Sequence, residues 1–536
     1  MSQREYREVE GLDWSGERML PAFPTPQHLT VYDVRHATPA ILLTLSTLVG
    51  LINRTQARIY LIYRNDDLFW LQTCLQAVPQ EKPATAHDEV LAALLTTYRS
   101  IVQGMIVYDP ALPDTINVAT MIAGQQDGIV VAPSQIQGFQ QTYVLPILHD
   151  LRVYKWRTRL QAYDWARENL LVGASPHLVA ALKPSIMGHL RSYLVATRTF
   201  IYWLNSLQCL PDLSAGLLSE QHLMRQILAN FAHKAVHLGW FIDEGSGVNL
   251  TSRAAIPVLA SDYCTNLEVW SAVQPPAWPK IQVAHTVKQA ESIQTDKVYV
   301  SFTISDGDNI QYCQHRLLQL WCDPLRGSLP LGWTISPVLR EAAPAIAAYY
   351  INSATANDEL IAGPSGAGYM YPTSWPDDQL TSFLQRTGCL MQDMHISILS
   401  VLDANILQRM GIPFAGILTG MNFAGAEQQR WYARELARYG LRGILSGSGL
   451  IYNRWRVLDS IPIYQNLGLA ANAAQIIRQV TRAARVHRQR PLFLNIYLLA
   501  WNITLTEIKT AMEQLTGDYE FVLPGQLLSM LVETAA

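Results

Sequence analysis

Val298-Tyr299-Val300-Ser301-Phe302-Thr303-Ile304 runs directly into Ser305-Asp306-Gly307-Asp308-Asn309-Ile310-Gln311. An apolar, β-branched run that stops at a glycine-centred acidic turn reads as a buried strand handing over to a helix. The handover recurs along the C-terminal half. Further strands are expected at 332–336, 360–363, 395–402, 415–418, 443–445, 462–464 and 491–498. Helices are expected between them at 343–352, 377–386, 426–439, 470–484 and 505–515. Short strands alternating with helices over this length predict a β/α barrel, distorted because the strand candidates exceed eight. The surplus, at 236–242 and 256–260, would then belong to a first sheet.

Upstream, strands are expected at 29–34, 58–63, 102–108 and 128–132, with helices at 38–52, 66–76 and 88–98. That alternation implies parallel β-α-β units and an open α/β sheet. From about 142 to 231 the strand signal fades, and 158–170, 184–204 and 219–231 look helical. Pro275, Pro276 and Pro279 exclude a helix interior and mark a linker or rim loop. The domain reading is an N-terminal arm (1–28), an α/β domain with a helical part (29–234), and a barrel-like C-terminal domain (235–536). Asn53-Arg54, behind the first buried helix, is expected at the interface of the two α/β regions.

The 536 residues are 49% hydrophobic and 15% charged, with a net charge of −3. This is a core-rich, multidomain, globular composition. Neither a nucleic-acid nor a membrane partner is favoured, because both need clustered Lys and Arg. The apolar stretch 39–52 is shorter than a membrane span needs. The polar N-terminus shows no leader, so a cytoplasmic location is expected unless a leader precedes it. The six cysteines form no C-x-x-C pair and read as buried free thiols.

Three stretches fall together. Gly366-Ala367-Gly368-Tyr369-Met370-Tyr371-Pro372 fits G-x-G-Y-x-Y-P in full, Ser305–Asn309 precedes it, and Leu51-Ile52-Asn53-Arg54 lies far upstream. With Gly239–Glu244 and Ser261–Leu267, this set resembles the GxGYxYP family of glycoside hydrolases over most of the chain. The resemblance implies a carbohydrate substrate and hydrolytic chemistry. It carries over no catalytic residue.

In β/α folds the chemistry sits where strands end. Asp306 and Asp308 flank Gly307, and two close carboxylates raise each other's proton affinity, so one can serve as acid while the other stays ionised. The same spacing suits a divalent metal such as Mg²⁺ or Ca²⁺. The rival reading makes Asp306 a helix cap and Asp308-Asn309 a turn. Glu244, after an apolar strand and Trp240, and Asp403, after 395–402, complete the catalytic candidates. Substrate contacts are expected from Gly366, Gly368, Tyr369, Tyr371 and Trp375, the aromatics forming a sugar-stacking wall or else a rigid buried turn. Asn309, Asp262, Asn422 and Asn502, all just past strand ends, join them. No G-x-S-x-G, P-loop or dinucleotide fingerprint occurs.

Three functions follow from these residues. The first is a glycosidase in which one carboxyl protonates the leaving oxygen and a second attacks or activates water. The second is a metal-dependent carbohydrate deacetylase, which would need histidines beside Asp306 and Asp308. The third is a non-catalytic glycan-binding or scaffold protein. The sequence carries no signal for oligomeric state.

Overall fold

A computed structural model describes residues 9, 11–15, 18–86, 89–212, 218–231, 234–279, 293–405, 423–450 and 454–536. The chain forms two compact units. Unit 1 is Met1–Gly247 with Val258–Ala277 and Glu341–Ile346, and unit 2 is Val248–Pro257, Trp278–Arg340 and Ala347–Ala536.

Unit 1 holds ten short strands: β1 (Leu29–Asp33), β2 (Ile59–Ile62), β3 (Gln80–Glu81), β4 (Gly104–Val107), β5 (Gly128–Val131), β6 (Ile147–Asp150), β7 (Leu178–Ala181), β8 (Phe200–Tyr202), β9 (Val236–Gly239) and β10 (Val258–Leu259). The expected α/β alternation is present, distributed over three parallel sheets ordered β2-β1-β3, β5-β4-β6 and β10-β9-β7-β8. β9 and β10 are the surplus strands, and they pair with each other and with β7 in the third sheet. In the stretch read as helical, Arg159–Leu170 and Glu220–Leu228 are helices. Within 184–204 only Arg191–Ala196 is an α-helix, and Phe200–Tyr202 is a strand. Buried runs of three or four residues, such as Leu178–Ala181, are too short to show a period.

The first two sheets share one apolar core, in which Tyr32, Ile59 and Leu61 cluster with Met105, Val107, Ile129 and Val131, and polar contacts add to it. The first long helix, Pro39–Asn53, starts at a Thr38 cap with Pro39 in its first turn. At its end Arg54 pairs with Asp127 and donates to the carbonyls of Gly124 (2.6 Å) and Val195 (3.3 Å). Arg54 therefore reaches a carboxylate and carbonyls as expected, but all three partners lie inside unit 1. Asn53 accepts from the N–H groups of Arg58 and Ile59 and donates to Glu268 at 3.1 Å. Cys264 and Cys313 are buried as expected, whereas Cys209, Cys322 and Cys389 are exposed. Among the described residues, no helix is long and apolar enough to cross a membrane.

Unit 2 is a parallel barrel of β11 (Val298–Ile304), β12 (Leu331–Ile335), β13 (Asp358–Ala362), β14 (Ile398–Val401), β15 (Gly443–Leu450), β17 (Ile461–Ala470) and β18 (Leu492–Leu498). β16 (Arg454–Leu458) hangs antiparallel on β17. β18 pairs with β11 over all seven of its residues, and β12 closes the ring through Thr303 and Ile304. Lower on that edge of β11, β19 (Tyr519–Phe521) pairs with Val298–Val300. Among the described residues the barrel thus has seven full strands and a partial eighth. The expected strand at 415–418 lies outside the described residues.

Strand alternation sends Tyr299, Ser301 and Thr303 inward, opposite Phe493, Asn495 and Tyr497. The floor is apolar. Tyr299, Ile361, Ile398, Leu445, Tyr464 and Phe493 pack on Leu527, Leu528 and Leu531 of the terminal helix Pro524–Ala535. Above it the lining turns polar. Asn495 accepts from Ser301 (2.7 Å) and Thr303 (3.1 Å) and donates to Asn466 (2.8 Å), which donates to the Gly447 carbonyl.

Glu268 in unit 1 is fully buried, and burial pushes its carboxyl above the usual range, with Asn53 and Ser192 pulling it back in part. A folded-state pKa raised in an acid favours the fold while the group is protonated, and that contribution is lost as pH rises through the raised value. Thermal melts should therefore fall as pH rises above the ordinary glutamate range, and Glu268→Gln should remove part of that slope. An unchanged slope in the variant would mean that Glu268 titrates alike in both states.

Candidate functional site

The turn after β11 is built by its neighbours. The Thr334 hydroxyl of β12 donates to the Ile304 carbonyl (2.6 Å) and accepts the Gly307 N–H (2.9 Å). A Cβ on Gly307 would stand 2.3 Å from the Thr334 carbonyl carbon, and one on Gly363 would stand 2.3 Å from the Gly307 carbonyl carbon. Only glycines permit this approach. It sets the start of the G-x-G-Y-x-Y-P loop against the Asp306–Asp308 turn, so both segments share the C-terminal rim.

Asp306 sits at φ +73°, in the left-handed region. That conformation is uncommon for a non-glycine residue and is tolerated best by Asn and Asp. Its Oδ1 accepts the indole N–H of Trp501 at 2.8 Å, and its Oδ2 meets the Ser305 hydroxyl. The Ser305 Oγ in turn accepts from the Ala500 N–H. Burial pushes the Asp306 carboxyl above the usual range, while Ser305 and Trp501 pull against it. Tyr312 lies edge-on to Trp501 (5.9 Å, 67°). The Tyr312 hydroxyl is buried and makes no hydrogen bond among the described residues.

Trp501 is 46% exposed. It is the aromatic missed in the sequence, where attention went to Asn502 beside it. Trp501 follows the strand end of β18, and that position was the available signal. Asn502 is exposed, and its N–H closes a turn on Leu499.

Asp308 is buried. Asn309 caps the helix Ile310–Gln314, its Oδ1 accepting from Tyr312 N–H at 2.9 Å, so the capping role falls to Asn309 rather than Asp306. Asp403 is fully buried and accepts from Thr373 N–H (3.3 Å), the Thr373 hydroxyl and Ala404 N–H (2.8 Å). It braces the loop after β14 against the turn that follows Pro372. Ser365 reinforces this brace by exchanging hydrogen bonds with Leu402.

The aromatic wall expected from the motif is absent as an exposed surface. Tyr369, Tyr371 and Trp375 are 4%, 2% and 6% exposed. The tyrosines pack edge-to-face at 5.6 Å, and Trp375 lies on Phe383. Gly366 and Gly368 take φ of +133° and +107° to make the turn that buries them. These residues frame the rim from below. Glu244 is exposed in the first turn of the helix Glu244–Arg253, behind Asp243, which accepts from Ser246 N–H. Glu244 and the half-buried Asp262 belong to unit 1 and not to the barrel. Asn422 lies outside the described residues.

For a metal, the donor set is thin. Among the described residues, no group of three or more His, Cys, Asp and Glu is placed to hold one. Asp306 and Asp308 would need backbone carbonyls and water to complete a shell. His395 precedes β14, at the opposite strand end, and its Nε2 meets the Pro279 carbonyl.

Asp306 and Asp308 stand at the C-terminal end of a strand in a parallel β/α barrel. Residues 28–100, 102–174 and 176–272 match the first, second and third N-terminal GxGYxYP domains. Residues 296–532 match the "GxGYxYP putative glycoside hydrolase C-terminal domain". The chain belongs to the GxGYxYP family. A crystal structure from Bacteroides thetaiotaomicron, titled a "putative hydrolase", is 21% identical, with a TM-score of 0.76 over 98% of this chain and 99% of that one. At that identity the likeness speaks for the fold. No curated protein matches the chain.

Two substitutions probe this geometry. Gly363→Ala should destabilise unit 2 by about 1–3 kcal/mol through overpacking against the acidic turn, read in denaturant melts. Trp501→Phe keeps a ring and removes the N–H that favours ionised Asp306, so the Asp306 carboxyl should titrate at still higher pH in ¹³C NMR. A downward shift would contradict the hydrogen bond.

Proposed function

We propose that this protein hydrolyses a glycosidic bond at the C-terminal rim of the barrel, with Asp306 as proton donor and Asp308 as the second carboxylate. The observation that carries the reading is Asp306 itself. It is an acid at positive φ, held by Trp501 and Ser305, with burial raising its proton affinity. Off-pattern backbone costs of order 1–3 kcal/mol and clusters at functional sites. A carboxyl that keeps its proton above the ordinary range is what protonation of a leaving oxygen requires. The part-exposed Trp501 offers the apolar side of a sugar ring a place to pack, beside the acid. The family description of the C-terminal domain supports a carbohydrate substrate. The deacetylase reading has less support, because among the described residues no group of three or more His, Cys, Asp and Glu forms a metal site with the two aspartates.

Asp306→Asn and Asp308→Asn should each lower turnover on a glycan panel by about 10²–10⁴-fold with the melting temperature kept. In the wild type, kcat/KM should fall as pH rises through the raised Asp306 value, since the donor must be protonated, and that limb should vanish in Asp306→Asn. Full activity in both variants would remove the pair from the chemistry. Restoration of activity by added Mg²⁺ or Ca²⁺ would favour the metal-dependent reading instead.

A further inference from the structure

Unit 1 contains a cavity of about 310 Å³, far along the chain from the barrel rim residues. That volume lies at the lower end of small-molecule pockets. Three helix starts meet there, at Asp114, at Thr158-Arg159 and at Ser219-Glu220. Asp114 and Glu220 set carboxylates against those positive helix ends. Asp114 is 6% exposed, accepts from the Tyr163 hydroxyl at 3.2 Å and faces the Arg159 guanidinium at 3.6 Å. Glu220 accepts the Asn205 N–H at 2.6 Å. Burial pushes both carboxyls up, and Arg159 pulls both down.

The charges in this lining nearly cancel. Asp114, Asp212 and Glu220 are opposed by Arg157 and Arg159 and by the helix ends. A strong anion meets carboxylates, and a strong cation meets guanidinium groups. A ligand with hydroxyls meets both in useful form, because carboxylates only accept and Arg only donates. The Thr158 and Ser219 hydroxyls already accept helix N–H groups at 3.4 and 3.2 Å, which leaves their protons for a further acceptor. Leu160 lines the wall, and Leu210, 74% exposed, stands at the edge as an apolar face. The segment leading in carries stacked Tyr154 and Trp156, 4.5 Å apart.

We propose that this cavity is a second, non-catalytic site for a neutral sugar of one or two rings, with Asp114, Glu220 and Arg159 reading adjacent hydroxyls. The inference stands on the chemistry of the cavity and does not rest on the barrel reading.

The test is saturation-transfer NMR on the full chain with glucose, galactose, mannose and N-acetylglucosamine as separate probes. At least one sugar should show transfer to its ring protons, equally in the wild type and in Asp306→Asn. Glu220→Gln and Leu210→Arg should weaken that binding at least about tenfold, equivalent to roughly 1.4 kcal/mol. Leu210 is exposed, so its replacement leaves the fold as a control for the partly buried Glu220. Binding unchanged in both variants would overturn the proposal, as would signal from no sugar. Loss of signal in Asp306→Asn alone would assign the binding to the barrel. Tighter binding of inorganic phosphate or putrescine than of every sugar would overturn the neutral-ligand class.

Discussion

Strand β11 is the constraint on which unit 2 depends. One edge is fully used by β18, and the other is divided between β19 below and β12 above. β12 therefore joins the ring only at Thr303 and Ile304. The register of β12 is carried by its five pairs with β13, and its two pairs with β11 close the ring. The Thr334 hydroxyl then ties the last carbonyl of β11 to the first N–H of Gly307. Barrel closure and the shape of the acidic turn are thus one event. The loop after β13 lies against that turn because glycine faces glycine.

Much of this was legible in the chain. The run 298–304 and the helices 344–353, 426–437 and 505–514 follow from hydrophobic period and length. The barrel was readable because its strands are apolar and spaced by helices. The division of unit 1 into three sheets was not, since strand pairing depends on contacts distant in sequence. The same limit applied to function. Asp306 and Asp308 were visible from their glycine and their place after a strand. Asp403 looks equivalent by the same rule, yet it is fully buried and hydrogen-bonded to Thr373, and such contacts are tertiary facts. Tyr369 and Tyr371 show the converse. A motif rich in aromatics suggested a surface, and two positive-φ glycines fold it inward.

Unit 1 solves a different problem. Its sheets have three or four strands of two to five residues, and two of them share one apolar core. Polar side chains add further bridges. Asn266 exchanges hydrogen bonds with both backbone groups of Leu61, Asp67 meets Thr265, and the fully buried Arg191 serves Ile186, Asn117 and Thr120. Such groups contribute little net stability when satisfied and cost far more when a partner is lost.

The indole of Trp501 touches Asp306 through its N–H and is itself part exposed. A ligand ring laid against the indole would remove water from beside the carboxyl. Lost solvation disfavours the carboxylate, so the carboxyl would gain proton affinity as the ring arrived. Occupancy and proton uptake would then be thermodynamically linked. The heat of binding would carry the ionisation enthalpy of the buffer, and affinity would rise on acidification even for a ligand with no charge of its own.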